Sequence, residues 1–176
     1  MILALSGSLK LSSVNSAALR AAASAAAHEG IRVELGEFVR ELPHFDPDLE
    51  PAPPAAVLRF RAACEDARGV LLAVPEYAFG IPGSLKNALD WTVGAGSLYR
   101  KPVTLLKVAP LGRGERGQDA LALVMQALDA DVVRAAVQVG ASHMDEHGEI
   151  REPGIVEALR HVVVELAGRA RVERAA

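Results

Sequence analysis

A loop at residues 6–15 combines groups that suit the binding of a phosphate. It follows an apolar run, leads into an alanine-rich segment and contains four serines, Lys10 and Asn15. Serine hydroxyls and the lysine ammonium can complete the coordination of an anion drawn to the free N–H groups and positive dipole of a helix N-terminus. The P-loop pattern G-x-x-x-x-G-K-[ST] is absent, so we expect a single phosphate rather than a nucleoside triphosphate. A solvated turn with Ser13 or Asn15 as the helix N-cap is the alternative.

A second loop, residues 75–83, places aromatic side chains where a strand is expected to end. Pro75 stops the apolar run 69–74, and Tyr77 and Phe79 follow beside two glycines. Backbone amides and an aromatic side chain in such a loop suit a flat heteroaromatic ligand that is stacked and hydrogen-bonded at its edge. The alternative is that both rings cover the core or fill a subunit interface.

A third loop, residues 109–117, contains Gly112, Gly114 and Gly117 in the literal pattern G-x-G-x-x-G. Between a strand and a helix this pattern is typical of a dinucleotide site. It follows the fourth predicted strand rather than the first, however, and no acidic residue ends the next strand. We therefore expect a glycine-lined loop that approaches a ligand held by the other two loops.

The three loops must be positioned by an alternation of short apolar runs and longer helical patterns. The pattern predicts five strands at 2–5, 31–35, 70–74, 103–108 and 132–139, and five helices at 17–28, 55–67, 83–91, 118–129 and 155–170. Continuously apolar strands separated by helices indicate a parallel sheet that is covered on both faces. We expect a single α/β domain over residues 1–176, with a flavodoxin-like, doubly wound sheet in the order 2-1-3-4-5. Ligands of such sheets bind beyond the carboxyl ends of the strands, where the three loops begin. The proline-rich stretch 43–54 is expected to be a surface loop.

The composition argues against several classes of protein. A net charge of −3 and a pI near 6.0 give no basic surface for nucleic acid and no strongly acidic one for docking on basic partners. No run approaches the length of a membrane span, and the N-terminus lacks a basic leader. The lone cysteine, Cys64, allows no internal disulfide and is interpreted as helix packing. We expect a soluble, cytoplasmic protein. His143 and His147 are four residues apart, but Asp145 and Gly148 indicate a turn, so no metal site is expected.

Taken together, the three loops resemble the NAD(P)H-dependent FMN reductase family, flavodoxin-like enzymes that include quinone, azo-compound and chromate reductases. The resemblance extends from Leu3 to about Leu166. Its most specific part is Pro75-Glu76-Tyr77 followed by Ile81-Pro82-Gly83-Ser84-Leu85-Lys86-Asn87-Ala88-Leu89-Asp90-Trp91. The stretch Gly7-Ser8-Leu9-Lys10 with Ser13 and Asn15 resembles the phosphate loop of the family, and residues 144–150 resemble the turn before its last helix.

The resemblance implies an enzyme that transfers hydride from NADPH or NADH through FMN to a small acceptor such as a quinone, azo compound, chromate or free flavin. It implies no catalytic side chain, because the flavin carries the chemistry. It also implies a homodimer or homotetramer. The FMN-binding residues that it implies are Ser8, Lys10, Ser13, Val14, Asn15, Pro75, Glu76, Tyr77, Ala78, Phe79, Gly112, Arg113 and Gly114.

The chain departs from the family at Ala78, where asparagine is common, and at Lys10, where arginine is frequent. Lysine keeps the charge but loses bidentate geometry. Arg113 and Arg116 are either contacts for the extra phosphate of NADPH or surface charges at the start of a helix. Two other functions stay open: a flavodoxin-like electron carrier, and a non-enzymatic sensor or interaction module with a changed pocket.

Overall fold

A computed structural model describes residues 1–10 and 12–172 of the chain and contains five strands joined by helices. The strands are β1 (Ile2–Ser6), β2 (Val33–Gly36), β3 (Gly69–Ala73), β4 (Pro102–Val108) and β5 (Asp131–Val137), and the helices are α1 (Val14–Ala27), α2 (Ala55–Asp66), α3 (Gly83–Val93), α4 (Glu115–Ala127) and α5 (Pro153–Val172). All strand pairs are parallel and their order is β2-β1-β3-β4-β5. This confirms the predicted flavodoxin-like fold.

The two faces of the sheet are covered by two hydrophobic cores. On β1, Ile2 and Ala4 face the core formed with α1 and α5, while Leu3 and Leu5 face the core formed with α2, α3 and α4. This alternation follows from the two-residue period of a strand. The buried face of α1 is mostly alanine, which lets this helix lie close to the sheet.

Helix α1 begins at Val14, three residues before its predicted start at residue 17. The Ser13 side chain accepts a hydrogen bond from the Ser16 N–H at 3.1 Å, so Ser13 is the N-cap. Helix α4 likewise begins at Glu115 rather than at residue 118. Strand β2 begins at Val33 rather than residue 31, because the Ile31 N–H bonds to the Ala26 carbonyl at the end of α1. Strand β5 begins at Asp131 and ends at Val137, two residues before its predicted end.

The proline-rich stretch 43–54 is a loop, as predicted, and it is fastened to α3. Asn87 accepts a hydrogen bond from the Phe45 N–H at 2.7 Å and donates to the Pro43 carbonyl at 2.9 Å. The Trp91 Nε1–H donates to the same carbonyl at 2.9 Å, and the Phe45 ring packs edge-on against the indole with centroids 5.0 Å apart. We call this set of contacts the α3 clamp.

Candidate functional site

A cavity of about 840 Å³ lies at the carboxyl edge of the sheet. It opens where the loops after β1 and β3 meet; the Gly7 N–H bonds to the Ala73 carbonyl at 2.9 Å and holds these loops side by side. Strand order reverses at this point, since β2 lies on one side of β1 and β3 on the other. The lining of the cavity comes from four loops and comprises Ser8, Lys10, Ser12, Ser13, Val14, Asn15, Val74, Pro75, Glu76, Tyr77, Phe79, Val108, Ala109, Pro110, Gly112, Arg113, Gly114, Glu115, Arg116, Val139, Gly140, Ala141 and Met144.

The structure brings all the predicted FMN-binding residues except Ala78 to the wall of this one cavity. Ala78 is next to it in the chain but does not line it, because it forms the tip of a turn. That these residues bind FMN stays a prediction.

In the first loop, a chain of hydroxyl groups supports the start of α1. The Ser16 hydroxyl donates to Ser6 Oγ at 3.1 Å and lies 2.9 Å from Ser13 Oγ, and the Ser8 N–H donates to Ser6 Oγ at 3.2 Å. These bonds fix the backbone between β1 and α1. The N-terminus of α1 therefore faces the cavity, and the binding of an anion there stays a prediction.

Asn15 supplies a polar group to this end of the cavity. The residue is only 6% exposed, and among the described residues its Oδ1 has no hydrogen-bond partner. Leaving a buried polar atom unpaired costs about 1–3 kcal/mol, so such an atom is normally satisfied by water or a ligand.

The second loop makes a tight reversal over the cavity. Tyr77 and Gly80 exchange two backbone hydrogen bonds of 3.0 and 2.9 Å, and the two residues between them have positive φ, 49° at Ala78 and 62° at Phe79. Two consecutive residues with positive φ match a type I′ turn, which favours Asn-Gly and is uncommon for alanine and phenylalanine. This geometry favours asparagine over alanine at position 78, because asparagine tolerates positive φ better.

Glu76 joins the second loop to the third. Its Oε2 accepts a hydrogen bond from the Gly117 N–H at 2.8 Å, in the first turn of α4. A Cβ at position 117 would lie 3.1 Å from the Glu76 Cβ, so the absence of a side chain permits this close approach. The carboxylate of Glu76 therefore binds the positive end of α4 and sets the width of the cavity between the two loops.

The third loop crosses the cavity with two left-handed residues. Gly112 has φ of 74° and Gly114, the N-cap of α4, has φ of 83°. The spacing of the glycines thus serves the backbone path of this loop. This loop also contacts the second loop in a way that was not predicted from the sequence. The Arg116 guanidinium lies 4.0 Å from the centroid of the Phe79 ring.

The cationic side chains of the cavity lack carboxylate partners. Lys10, Arg113 and Arg116 form no ion pair with any residue in the described ranges 1–10 and 12–172, whereas Glu115 pairs with Lys107. Glu76 accepts the Gly117 N–H and keeps its negative charge, so among the described lining residues three unpaired cations face one carboxylate without an ion pair. The cavity therefore presents unpaired positive charge, which favours an anionic ligand.

The loop after β5 supplies a wall that the sequence analysis missed. Val139, Gly140 and Ala141 carry no chemistry-bearing side chain, and only their place after a predicted strand end would have pointed to them. Their backbone is held by His143, whose Nδ1 accepts a hydrogen bond from the Gly140 N–H at 2.9 Å.

Among the described residues, the cavity has neither a cluster of metal-ligating side chains nor a nucleophilic thiol. In the described part of the chain, no group of three histidine, cysteine, aspartate or glutamate side chains is placed to hold a metal ion. Cys64 is fully buried in the core, and burial raises the pKa of its thiol to about 12. This thiol stays protonated at neutral pH and is unreactive.

Comparison with known proteins identifies the family. Residues 1–144 match the family model described as NADPH-dependent FMN reductase. The chain belongs to this family. Family members bind FMN and use NAD(P)H as co-substrate, so the chain is classed as an oxidoreductase, in agreement with the resemblance inferred from the three loops.

Of the described helices, none is long and apolar enough to cross a membrane.

Two relatives and one solved structure illustrate the match. The chain is 30% identical over 168 residues to a quinone reductase of Escherichia coli K12, covering 90% of this chain and 88% of that protein. It is 40% identical over 91 residues to an NAD(P)H-dependent FMN reductase of Pseudomonas aeruginosa, covering 51% of this chain and 48%, about half, of that relative. The flavoenzyme NAD(P)H:(acceptor) oxidoreductase FerB from Paracoccus denitrificans superposes with a TM-score of 0.79 at 24% identity, covering 97% of this chain and 96% of that one, and shows the same fold.

The cavity fits the flavin cofactor of the family on its own chemistry. FMN carries a phosphate, a chain of hydroxyl groups and a flat ring system. The helix N-terminus of α1 suits the phosphate, and Asn15 beside it carries a buried side-chain oxygen without a partner among the described residues. The aromatic loop and the glycine loop leave a space between them that a planar ring can occupy.

Proposed function

We propose that this protein is an FMN-dependent NAD(P)H oxidoreductase that reduces a small acceptor, foremost a quinone. The observation that carries the proposal is the convergence of an anion site, an aromatic loop and a glycine loop on one cavity at the switch point of the sheet. When bound, FMN supplies the chemistry by accepting a hydride from NAD(P)H and passing electrons to the acceptor.

The roles of the residues follow from their places around the cavity. We assign the phosphate to Ser8, Lys10, Ser13 and Asn15, together with the N–H groups at Val14 and the start of α1. The loop of residues 75–79 lines the ring system on one side, and Gly112, Arg113 and Gly114 line it on the other. Glu76 orients both loops through its bond to Gly117.

The rest of the cavity serves to orient the ligands and to limit water. Hydride transfer needs the two reacting rings to be stacked in register, and the apolar groups of Val74, Pro110 and Met144 give a surface that favours stacking. Each quinone that is reduced by NAD(P)H to a hydroquinone takes up one proton, which water can supply, so the scheme assigns no side chain as acid or base.

The first test is the visible absorption spectrum of the purified protein, before and after incubation with FMN and desalting. Retained flavin bands are expected. The matched pair Lys10→Met and Lys86→Met then tests the assigned phosphate site, because both remove one lysine charge but Lys86 pairs with Asp90 on α3. We expect Lys10→Met to weaken FMN binding about tenfold, the loss of one hydrogen bond to a charged group, and Lys86→Met to leave it unchanged. Equal affinities in the two variants would remove Lys10 from the site.

The second test is oxidation of NADPH and of NADH with a quinone acceptor and no partner reductase. Steady turnover is expected from a reductase and supports the role suggested by the quinone reductase relative. Slow reaction with both nucleotides would instead favour the electron carrier, and a colourless protein that refuses FMN would favour the interaction module.

We further propose one domain, a homodimer or homotetramer, and a cytoplasmic location. One sheet with a core on each face supports a single domain. Exposed apolar side chains at the rim of the cavity, among them Leu111 at 81%, support association of subunits near the site. Light scattering coupled to gel filtration measures the mass; a monomer at micromolar concentration would contradict the oligomer.

A further inference from the structure

A cation and an aromatic ring from two different loops meet at the rim of the cavity. Phe79 lies in the turn after β3 and Arg116 in the first turn of α4, and the guanidinium is 4.0 Å from the ring centroid. The Phe79 residue is nevertheless 67% exposed. The contact therefore leaves much of the side chain accessible at the mouth of the cavity.

The conformation that presents Phe79 is strained and is not explained by packing within one chain. Ala78 and Phe79 both have left-handed backbone angles, which cost roughly 1–2 kcal/mol for each non-glycine residue. A buried ring would offset this cost through hydrophobic burial, but Phe79 is exposed. Strain of this kind that the fold does not need is typical of ligand-binding segments.

The charge of Arg116 is available to a ligand. No carboxylate lies within ion-pair distance of it in the part of the chain that the structure describes, and its neighbours in the cavity wall include Lys10 and Arg113, which are also without such a partner. A guanidinium that rests on an aromatic face keeps its N–H donors in its own plane, where they can bind a carboxylate or sulfonate.

We propose that Phe79 and Arg116 form a selecting pair that favours planar aromatic electron acceptors with an anionic substituent over neutral ones. The ring supplies a stacking surface and the guanidinium binds the carboxylate, sulfonate or ionised hydroxyl of the acceptor. This inference deepens the proposed function and rests on it. It names two specificity-determining residues and assigns the acceptor class that the site prefers.

The direct test measures binding without turnover. The FMN-loaded protein is titrated by calorimetry with naphthalene carboxylate and with naphthalene carboxamide, which have the same rings and differ in charge. We expect Arg116→Gln to weaken carboxylate binding about fivefold and to change carboxamide binding less than about twofold, as for the loss of one solvent-exposed charge pair. Phe79→Leu is expected to weaken both ligands, because stacking does not depend on the charge.

Arg134→Gln is the control for net charge, since Arg134 pairs with Asp119 outside the cavity. It is expected to leave both affinities unchanged. Equal weakening of carboxylate binding in the two arginine variants would overturn the proposal, as would equal weakening of both ligands by Arg116→Gln.

A second arm separates the acceptor from NADPH, whose extra phosphate is another source of negative charge. We expect the preference for NADPH over NADH in flavin reduction to be the same in Arg116→Gln and in the unaltered protein. The ratio of kcat/KM for a naphthoquinone sulfonate to that for menadione is expected to fall about fivefold in the variant. A changed nucleotide preference with an unchanged acceptor ratio would overturn the proposal and give Arg116 to the nucleotide. Failure of the protein to bind FMN would instead remove the proposed function itself.

Discussion

Residues 75–80 and helix α3 follow one another in the chain, but their aromatic side chains lie in opposite environments. Tyr77 and Phe79 are 55% and 67% exposed at the mouth of the cavity, whereas Trp91 is fully buried. The loop holds its two rings on a strained turn, and the Arg116 guanidinium lies over the Phe79 ring. The helix uses its ring and its amide to fasten the proline-rich loop through the α3 clamp.

The difference shows that one continuous sequence motif divides into a ligand-binding part and a structural part. The polar groups of the α3 clamp are satisfied within the protein, since the Asn87 amide and the Trp91 Nε1–H have backbone partners. In the site loop, residues 75–80, the Glu76 carboxylate also has a backbone partner, the Gly117 N–H, but the rings of Tyr77 and Phe79 are exposed at the cavity. Substitutions in the clamp should therefore change stability, and those in the loop should change ligand binding.

The largest expected effect is that of Trp91→Ala. Removing a fully buried ring of this size lowers the free energy of unfolding by about 3–5 kcal/mol. Trp91→Phe keeps most of the volume and removes the donor to the Pro43 carbonyl, so a smaller loss of about 1–3 kcal/mol is expected. Urea unfolding followed by circular dichroism measures both. The dissociation constant for FMN should change less than twofold in Trp91→Phe. A large loss of FMN affinity with normal stability would contradict the structural role of the α3 clamp.

A smaller loss is expected from Asn87→Ala, which leaves the Phe45 N–H without its acceptor and the Pro43 carbonyl with one donor fewer. We expect the free energy of unfolding to fall by about 1–3 kcal/mol. Lys86→Ala, at the neighbouring position on the same helix, removes only a surface pair with Asp90 and should cost less than about 1 kcal/mol. If the two variants unfold at the same urea concentration, the Asn87 bonds contribute nothing to the clamp.

In the site loop, residues 75–80, one substitution is expected to raise the free energy of unfolding rather than lower it. Ala78→Asn places a residue that tolerates positive φ at an angle of 49°, so we expect the free energy of unfolding to rise by about 0.5–1 kcal/mol. Ala78→Val, which is branched at Cβ, should destabilise the protein. Thermal unfolding of both variants beside the unaltered protein measures the order; a stability loss in Ala78→Asn would show that the turn is not strained.

The sequence predicted the fold and much of the cavity wall for identifiable reasons. Apolar strands and the loops that follow them are local patterns, so they predicted the five strands and the loops that line the cavity. The strand order followed from the common arrangement of doubly wound sheets, and the place of Glu76 followed from the resemblance to the family. The α3 clamp did not follow, because Asn87 and Trp91 meet Pro43 and Phe45 more than forty residues earlier in the chain.

The strained turn and the wall after β5 were not predictable for different reasons. Alanine seldom adopts positive φ, and its side chain gives no indication that Ala78 does so. Gly140 and Ala141 contribute backbone to the cavity and carry no chemical group that a motif search would notice.

The smallest expected effect concerns the turn at residues 145–151, next to the cavity. Like the α3 clamp, this turn is held by hydrogen bonds between a side chain and the backbone. Asp145 follows Met144 of the cavity wall, and its Oδ1 accepts the Glu149 and His147 N–H groups while Oδ2 accepts from the Arg151 guanidinium. The Glu149 N–H and the Arg151 side chain lower the pKa of Asp145 to about 2.

Because the pKa in an unfolded chain is about 3.9, the stabilising contribution of the Asp145 charge is present in full above that value and is lost as the pH falls towards 2. The difference in urea midpoint between the unaltered protein and Asp145→Asn should be constant from neutral pH to about pH 5 and should shrink below about pH 4. Glu146→Gln, at an exposed neighbouring carboxylate, should show no such trend. A difference that persists undiminished at pH 3 would mean that the protonated Asp145 side chain stabilises the turn as well as its carboxylate does, and that charge plays no part in holding this wall of the cavity.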